Sequence, residues 1–151
     1  MPAPKGNRFW EMRSTHGRSP IFKSADELWD AACQYFEWTE DNPIITSELV
    51  KFHGEASVAE LPKMRAMTIQ GLCLFLDIDE QTLANYEKKK DFFGVVTKIK
   101  TVIYQQKFTG AAANELNPNI IARDLGLVDK TESKETHEVN LKAVKEDFDD
   151  C

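Results

Sequence analysis

Gln81, Thr82, Asn85, Lys88, Lys89 and Lys90 lie close together in the chain. Amides, hydroxyls and ammonium groups are the side chains that bond base edges and phosphates. A second cationic group opens the chain, where Lys5, Arg8, Arg13, Arg18 and Lys23 stand against Glu11 alone. Both groups could meet a polyanion. Asp77, Asp79, Glu80 and Glu87 surround the first group and oppose that reading.

Bond-breaking chemistry has little to stand on. The sequence holds no P-loop, GxGxxG, HExxH, CxxC or GxSxG pattern. His16, His53 and His137 are far apart, so no metal site is expected, nor a cofactor or a catalytic residue. Cys33, Cys73 and Cys151 are too few and too scattered for a disulfide framework. Cys33 and Cys73 read as small core residues. A reducing, intracellular setting, the cytoplasm, fits them.

The net charge of −6 does not advertise a polyanion partner, but its distribution is uneven. Residues 24–62 carry nine acids against Lys51, residues 63–108 turn basic, and the end is acidic through Glu146-Asp147-Phe148-Asp149-Asp150. A cationic surface must therefore be local. No apolar run approaches the ~20 residues of a membrane span, and MPAPKGNRFW does not lead into a secretory signal.

The elements that must position these groups are mostly helical. Residues 1–23 read as a basic arm, broken by Pro2, Pro4, Gly6, Gly17 and Pro20, with Phe9, Trp10 and Met12 available to dock. Residues 24–129 read as the core. Ser24 and Glu27 form a capping box for a helix with Leu28, Ala32, Tyr35 and Phe36 on one stripe, ended by Asn42-Pro43. Residues 44–61 predict a β-hairpin with its turn at His53-Gly54-Glu55, closed by Pro62. Its polar–apolar alternation is imperfect.

Thr68 caps a first short helix through Leu76, and Asp79 caps a second from Glu80 to about Lys89, with Leu83 and Tyr86 inward. Two short helices across a three-residue turn are what a helix-turn-helix needs. A longer helix follows from Asp91 to about Lys107 on Val95, Ile99, Val102 and Ile103, and Gly110 breaks the pattern. Ala111 to Leu116 can form another helical piece. The last helix has Asn117 as cap and Pro118 at its first position, stops at Gly126, and offers Ile120, Ile121 and Leu125 to close the core.

Residues 130–151 have the composition of an acidic, flexible tail. Leu141, Val144 and Phe148 repeat there as one stripe of an amphipathic helix that could fold on a partner. The competing reading is a frayed end without one.

The segments PAPKGNRFWEMRSTHGRSP, LWDAACQYFEW, KMRAMTIQGLCLFLDID and VIYQQKFTGAAANELNPNIIARDLGL, in that order, resemble the small terminase subunits of short-tailed, Salmonella-phage-type double-stranded-DNA bacteriophages. The resemblance spans roughly residues 1–130. It implies a mainly helical subunit with a protruding β-hairpin, assembled as a closed ring, nine subunits being the expected number. It implies recognition of a packaging-initiation site on concatemeric phage DNA, recruitment of the large subunit and stimulation of its ATPase, without an active site of its own. In the similar proteins the tail is basic, whereas here it is acidic. DNA binding is therefore expected from Lys5, Arg8, Arg13, Arg18, Gln81, Asn85, Lys88, Lys89 and Lys90. Large-subunit binding is expected from Leu141, Val144 and Phe148.

Two other readings stay open. A helix-turn-helix transcriptional regulator would usually be a dimer on a palindrome. A nuclease would need clustered carboxylates holding a divalent metal.

Overall fold

The computed structural model describes residues 8–12 and 22–129. They form a short 3-10 turn (Phe9–Glu11), then α1 (Ala25–Asp41), β1 (Ile44–Phe52), β2 (Glu55–Lys63), α2 (Ile69–Leu76), α3 (Glu80–Lys88), α4 (Lys90–Ala112) and α5 (Pro118–Asp124). The described chain is thus mainly helical, with one two-stranded antiparallel hairpin. α1 packs on α2 and α4, α3 on α4 and α2, and α5 on α4, whereas the principal partner of each strand is the other strand.

Leu28, Ala32 and Tyr35 of α1 meet Leu72, Phe75 and Leu76 of α2, Leu83 and Tyr86 of α3, and Phe92, Val96, Ile99 and Ile103 of α4 in one core. Phe36 packs against it from the side. α1 starts where the sequence places it, with the Ser24 hydroxyl accepting from Glu27 N at 3.2 Å. The return bond of the capping box is displaced by one residue, since Glu27 Oε2 accepts from Lys23 N rather than from Ser24 N. Tyr35 ties α1 to the start of α2. Its hydroxyl donates to Thr68 O (3.3 Å) and accepts from Thr68 N (3.1 Å). That hydroxyl lies where a Cβ on Gly71 would come within 2.5 Å of it.

The hairpin turns at His53 and Gly54 with φ of 49° and 83°, the left-handed pair a two-residue type I′ turn requires. Pro62 does not close it. β2 runs on through Pro62, opposite Ile45, to Lys63, opposite Ile44. A two-stranded ribbon has two outer edges, so a residue without an N–H is tolerated. The imperfect alternation also has its reason: most residues on both faces of the ribbon are exposed, so neither face selects a period of two.

α4 is longer than the sequence reading predicts. Gly110 is buried inside it, with Met64 Sδ and the Leu116 side chain closer than a Cβ would permit. Helix continuity is held by packing, which overrides the low helix propensity of glycine. The buried stripe is Phe92, Val96, Ile99, Ile103, Lys107 and Gly110, with Val95 and Val102 at its flanks. After Ala112 the chain turns at Asn114 (φ 60°) instead of making another helical piece. In α5 only Ile121 is buried, and Ile120 is exposed rather than closing the core. From the arm, Met12 and Phe22 enter the core, while Phe9 and Trp10 stay exposed.

Candidate nucleic-acid interface

α2 ends in a turn that sets the start of α3. Asp77 adopts the left-handed conformation, Ile78 N donates to Cys73 O, and Asp77 N donates to Leu74 O. These two bonds are the paired closure of a Schellman motif. Asp79 then caps α3, accepting from Thr82 N at 2.6 Å. The Thr82 side chain and backbone hold the Asp79 carboxyl below the usual carboxylate range. α3 is fixed from beneath by Leu83 and Tyr86. Phe22 packs on Tyr86, and Phe22 N donates to the Tyr86 hydroxyl at 2.9 Å.

On the outer side of α3 the structure brings together Gln81, Asn85 and Lys88, all exposed. Their spacing of four and three residues puts them on one face. Gln81 Nε2 donates to Asn85 Oδ1 at 3.1 Å, which aligns two amides and leaves each with further donor or acceptor capacity. Lys88 ends α3 and Lys90 begins α4, and neither forms an ion pair among the described residues. Lys89 is held differently. Its ammonium lies 5.0 Å from the Tyr86 ring centre and 5.8 Å from that of Phe92. A lysine there also complements the negative end of the α3 dipole, a purely structural role. Thr82 is half-buried and serves the cap.

Of the arm cations, Arg8 is paired with Glu11 at 3.0 Å, an exposed carboxylate that competes with a phosphate for it. Lys5, Arg13 and Arg18 lie outside the described residues, as do Leu141, Val144 and Phe148 of the tail. Glu87 is engaged by Lys100 at 2.7 Å, so one of the acids beside Lys88 is neutralised.

The described residues hold no group of three or more His, Cys, Asp or Glu side chains able to bind a metal. Burial pushes the Cys73 thiol up to about 11, with Glu80 and Asp79 adding to it. Cys33 is half-buried, and burial followed by Asp30 and Glu37 raises its thiol as well. Neither is an activated nucleophile. No helix among the described residues is long and apolar enough to cross a membrane.

Sequence reasoning missed one buried charge. Lys107 is 8% exposed, and its ammonium donates to Asp124 Oδ2 at 2.5 Å, pinning α5 to α4. The signal was there: Lys107 lies four residues beyond Ile103 on the buried stripe.

A helical core that presents Gln81, Asn85 and Lys88 on one face of a short helix offers amides and a lysine to a polar partner. Residues 17–133 match the family described as DNA-packaging protein gp3, and the chain belongs to that family. More particularly, it is 53% identical over 132 residues to "Terminase, small subunit" of Salmonella phage P22, covering 87% of this chain and 82% of that relative. It is a DNA-packaging protein of the small-terminase kind, and not the catalytic subunit of a terminase.

Proposed function

We propose that this chain recognises the packaging-initiation site on concatemeric phage DNA, as a closed ring of subunits, nine being the expected number. It then recruits the large terminase subunit and stimulates its ATPase in the host cytoplasm. The observation that carries this is the extent of the match, with 53% identity across most of both chains. The α2–α3 corner serves as a helix-turn-helix, with Gln81 and Asn85 offered to base edges and Lys88 and Lys90 to phosphates. The arm (residues 1–23) adds cations around the ring. The core (24–129) builds the assembly. The tail (130–151) binds the large subunit through Leu141, Val144 and Phe148. A single basic patch is weak, but repeated around a ring it gains avidity.

The corner alone would also suit a transcriptional regulator, since two short helices across Asp77–Asp79 are common to both. Assembly separates the readings. Light scattering of the full chain, with and without phage DNA, should give the mass of a large closed oligomer. A dimer that binds only a palindrome would refute the packaging reading in favour of the regulator.

A further inference from the structure

The last two residues of the arm are held by side chains from two different helices. Phe22 N donates to the Tyr86 hydroxyl of α3 at 2.9 Å, and Lys23 N donates to Glu27 Oε2 of α1 at 2.9 Å. The two bonds differ in setting. Glu27 is exposed, so water can take its place, whereas Phe22 and Tyr86 are both buried. A buried N–H that loses its acceptor is left unpaired, so the bond to Tyr86 is the one that fixes the exit of the arm. Met12 also enters the core, but an apolar contact is non-directional.

Tyr86 meets the lysine cluster as well. Its ring centre lies 5.8 Å from that of Phe22, 4.8 Å from that of Phe92 and 5.0 Å from the Lys89 ammonium. A phenylalanine ring could make all three contacts. The hydroxyl is the atom that distinguishes this residue, and the acceptor it supplies goes to the arm, 64 positions away in the chain. One side chain therefore joins the exit of the arm, the end of α3 and the start of α4. Gln81, Asn85 and Lys88 lie on the outer side of the same helix.

We propose that Tyr86 is a positioning residue for DNA: its hydroxyl seats the arm beside α3, so that arm cations and the α3 face meet one duplex as a single surface. The inference rests on the reading of arm and α3 as DNA contacts, and deepens it by naming what holds the two together. Because it is buried, Tyr86 acts through the arm and not by touching DNA. Seating the arm before DNA arrives removes part of the ordering cost of its contacts.

The test measures binding of labelled phage DNA by the full chain in four forms: unsubstituted, Tyr86→Phe, an arm-neutral form with Lys5, Arg8, Arg13 and Arg18 each changed to Gln, and the combination. Tyr86→Phe should weaken binding about fivefold per engaged subunit, the equivalent of one net hydrogen bond, with oligomer mass and helical circular dichroism unchanged. In the arm-neutral form the same substitution should alter affinity by less than about twofold, because the group it positions is gone. A role confined to the packing of α3 predicts equal losses in both backgrounds, and that result overturns the proposal. So does unchanged affinity in Tyr86→Phe alone. An arm-neutral form that binds as tightly as the unsubstituted chain removes the arm from the DNA reading itself, and the proposal with it. A second measurement needs no substitution: hydrogen exchange at the Phe22 amide should be as slow as at the interior amides of α3, and exchange as fast as at an exposed amide overturns the anchor.

Discussion

If the α3–α4 junction meets phosphates, its lysines should separate by how each is held. Lys88 and Lys90 are exposed and without ion pairs among the described residues, whereas Lys89 leans on Tyr86 and Phe92. Each lysine that neutralises a phosphate contributes about 0.9 to the slope of log affinity against log salt. Lys88→Ala with Lys90→Ala should therefore flatten that slope by about 1.8 for each engaged subunit. From about 50 to about 200 mM salt, log salt rises by roughly 0.6, so the salt-induced loss of affinity should shrink by roughly tenfold per engaged subunit. Lys89→Ala should move the slope less and cost stability instead, about 0.5–1 kcal/mol for an exposed cation–π contact. Fluorescence anisotropy of labelled phage DNA across a salt series reads the slope, and urea titration reads the stability. A double variant with the parent's slope would refute the assignment of these two lysines, and a Lys89 variant with the larger slope change would refute the partition between them.

Gly71→Ala adds helix propensity of about 1 kcal/mol but sets a methyl 2.5 Å from the Tyr35 hydroxyl, in a ring packed beside Phe75. Overpacking of about 1–3 kcal/mol, plus about 0.5–1.5 kcal/mol for each Tyr35–Thr68 bond lost, should outweigh that gain. Denaturant unfolding should show a lower midpoint, and a higher one would mean that Tyr35 yields freely. Because the folded chain holds the Cys73 proton up to about pH 11, its contribution to stability is full below the unfolded thiol's value of 9.0 and falls as pH rises from there. Cys73→Ala should flatten the stability profile between those two values, and an unchanged profile would remove Cys73 as its source. Truncation after Lys130 should leave assembly and DNA affinity largely intact while abolishing stimulation of the large subunit's ATPase. Loss of DNA binding instead would return the DNA role to the tail.

Local rules made much of this chain legible from the sequence. Ser24, Thr68, Asp79 and Asn117 each cap the helix their residue type forecasts, because a side-chain oxygen satisfies backbone donors within its own turn. His53-Gly54 sets the hairpin turn for a similarly local reason. The grouping of Gln81, Asn85 and Lys88 follows from helical spacing alone, so the candidate face could be read before the fold was known.

What remained depended on partners distant in sequence. Gly110 continues a helix because Met64 and Leu116 press on it, and no window around residue 110 contains Met64. Lys107 is buried because Asp124 folds back to meet it, and the hairpin is anchored because Gln106 reaches Arg65 and Met67. The chain also could not disclose which lysine is tied down. Lys88, Lys89 and Lys90 are identical in type and adjacent in sequence. Only the placement of Tyr86 and Phe92 across the α3–α4 junction distinguishes the middle one, since an aromatic face attracts a cation only where tertiary packing has brought the two together.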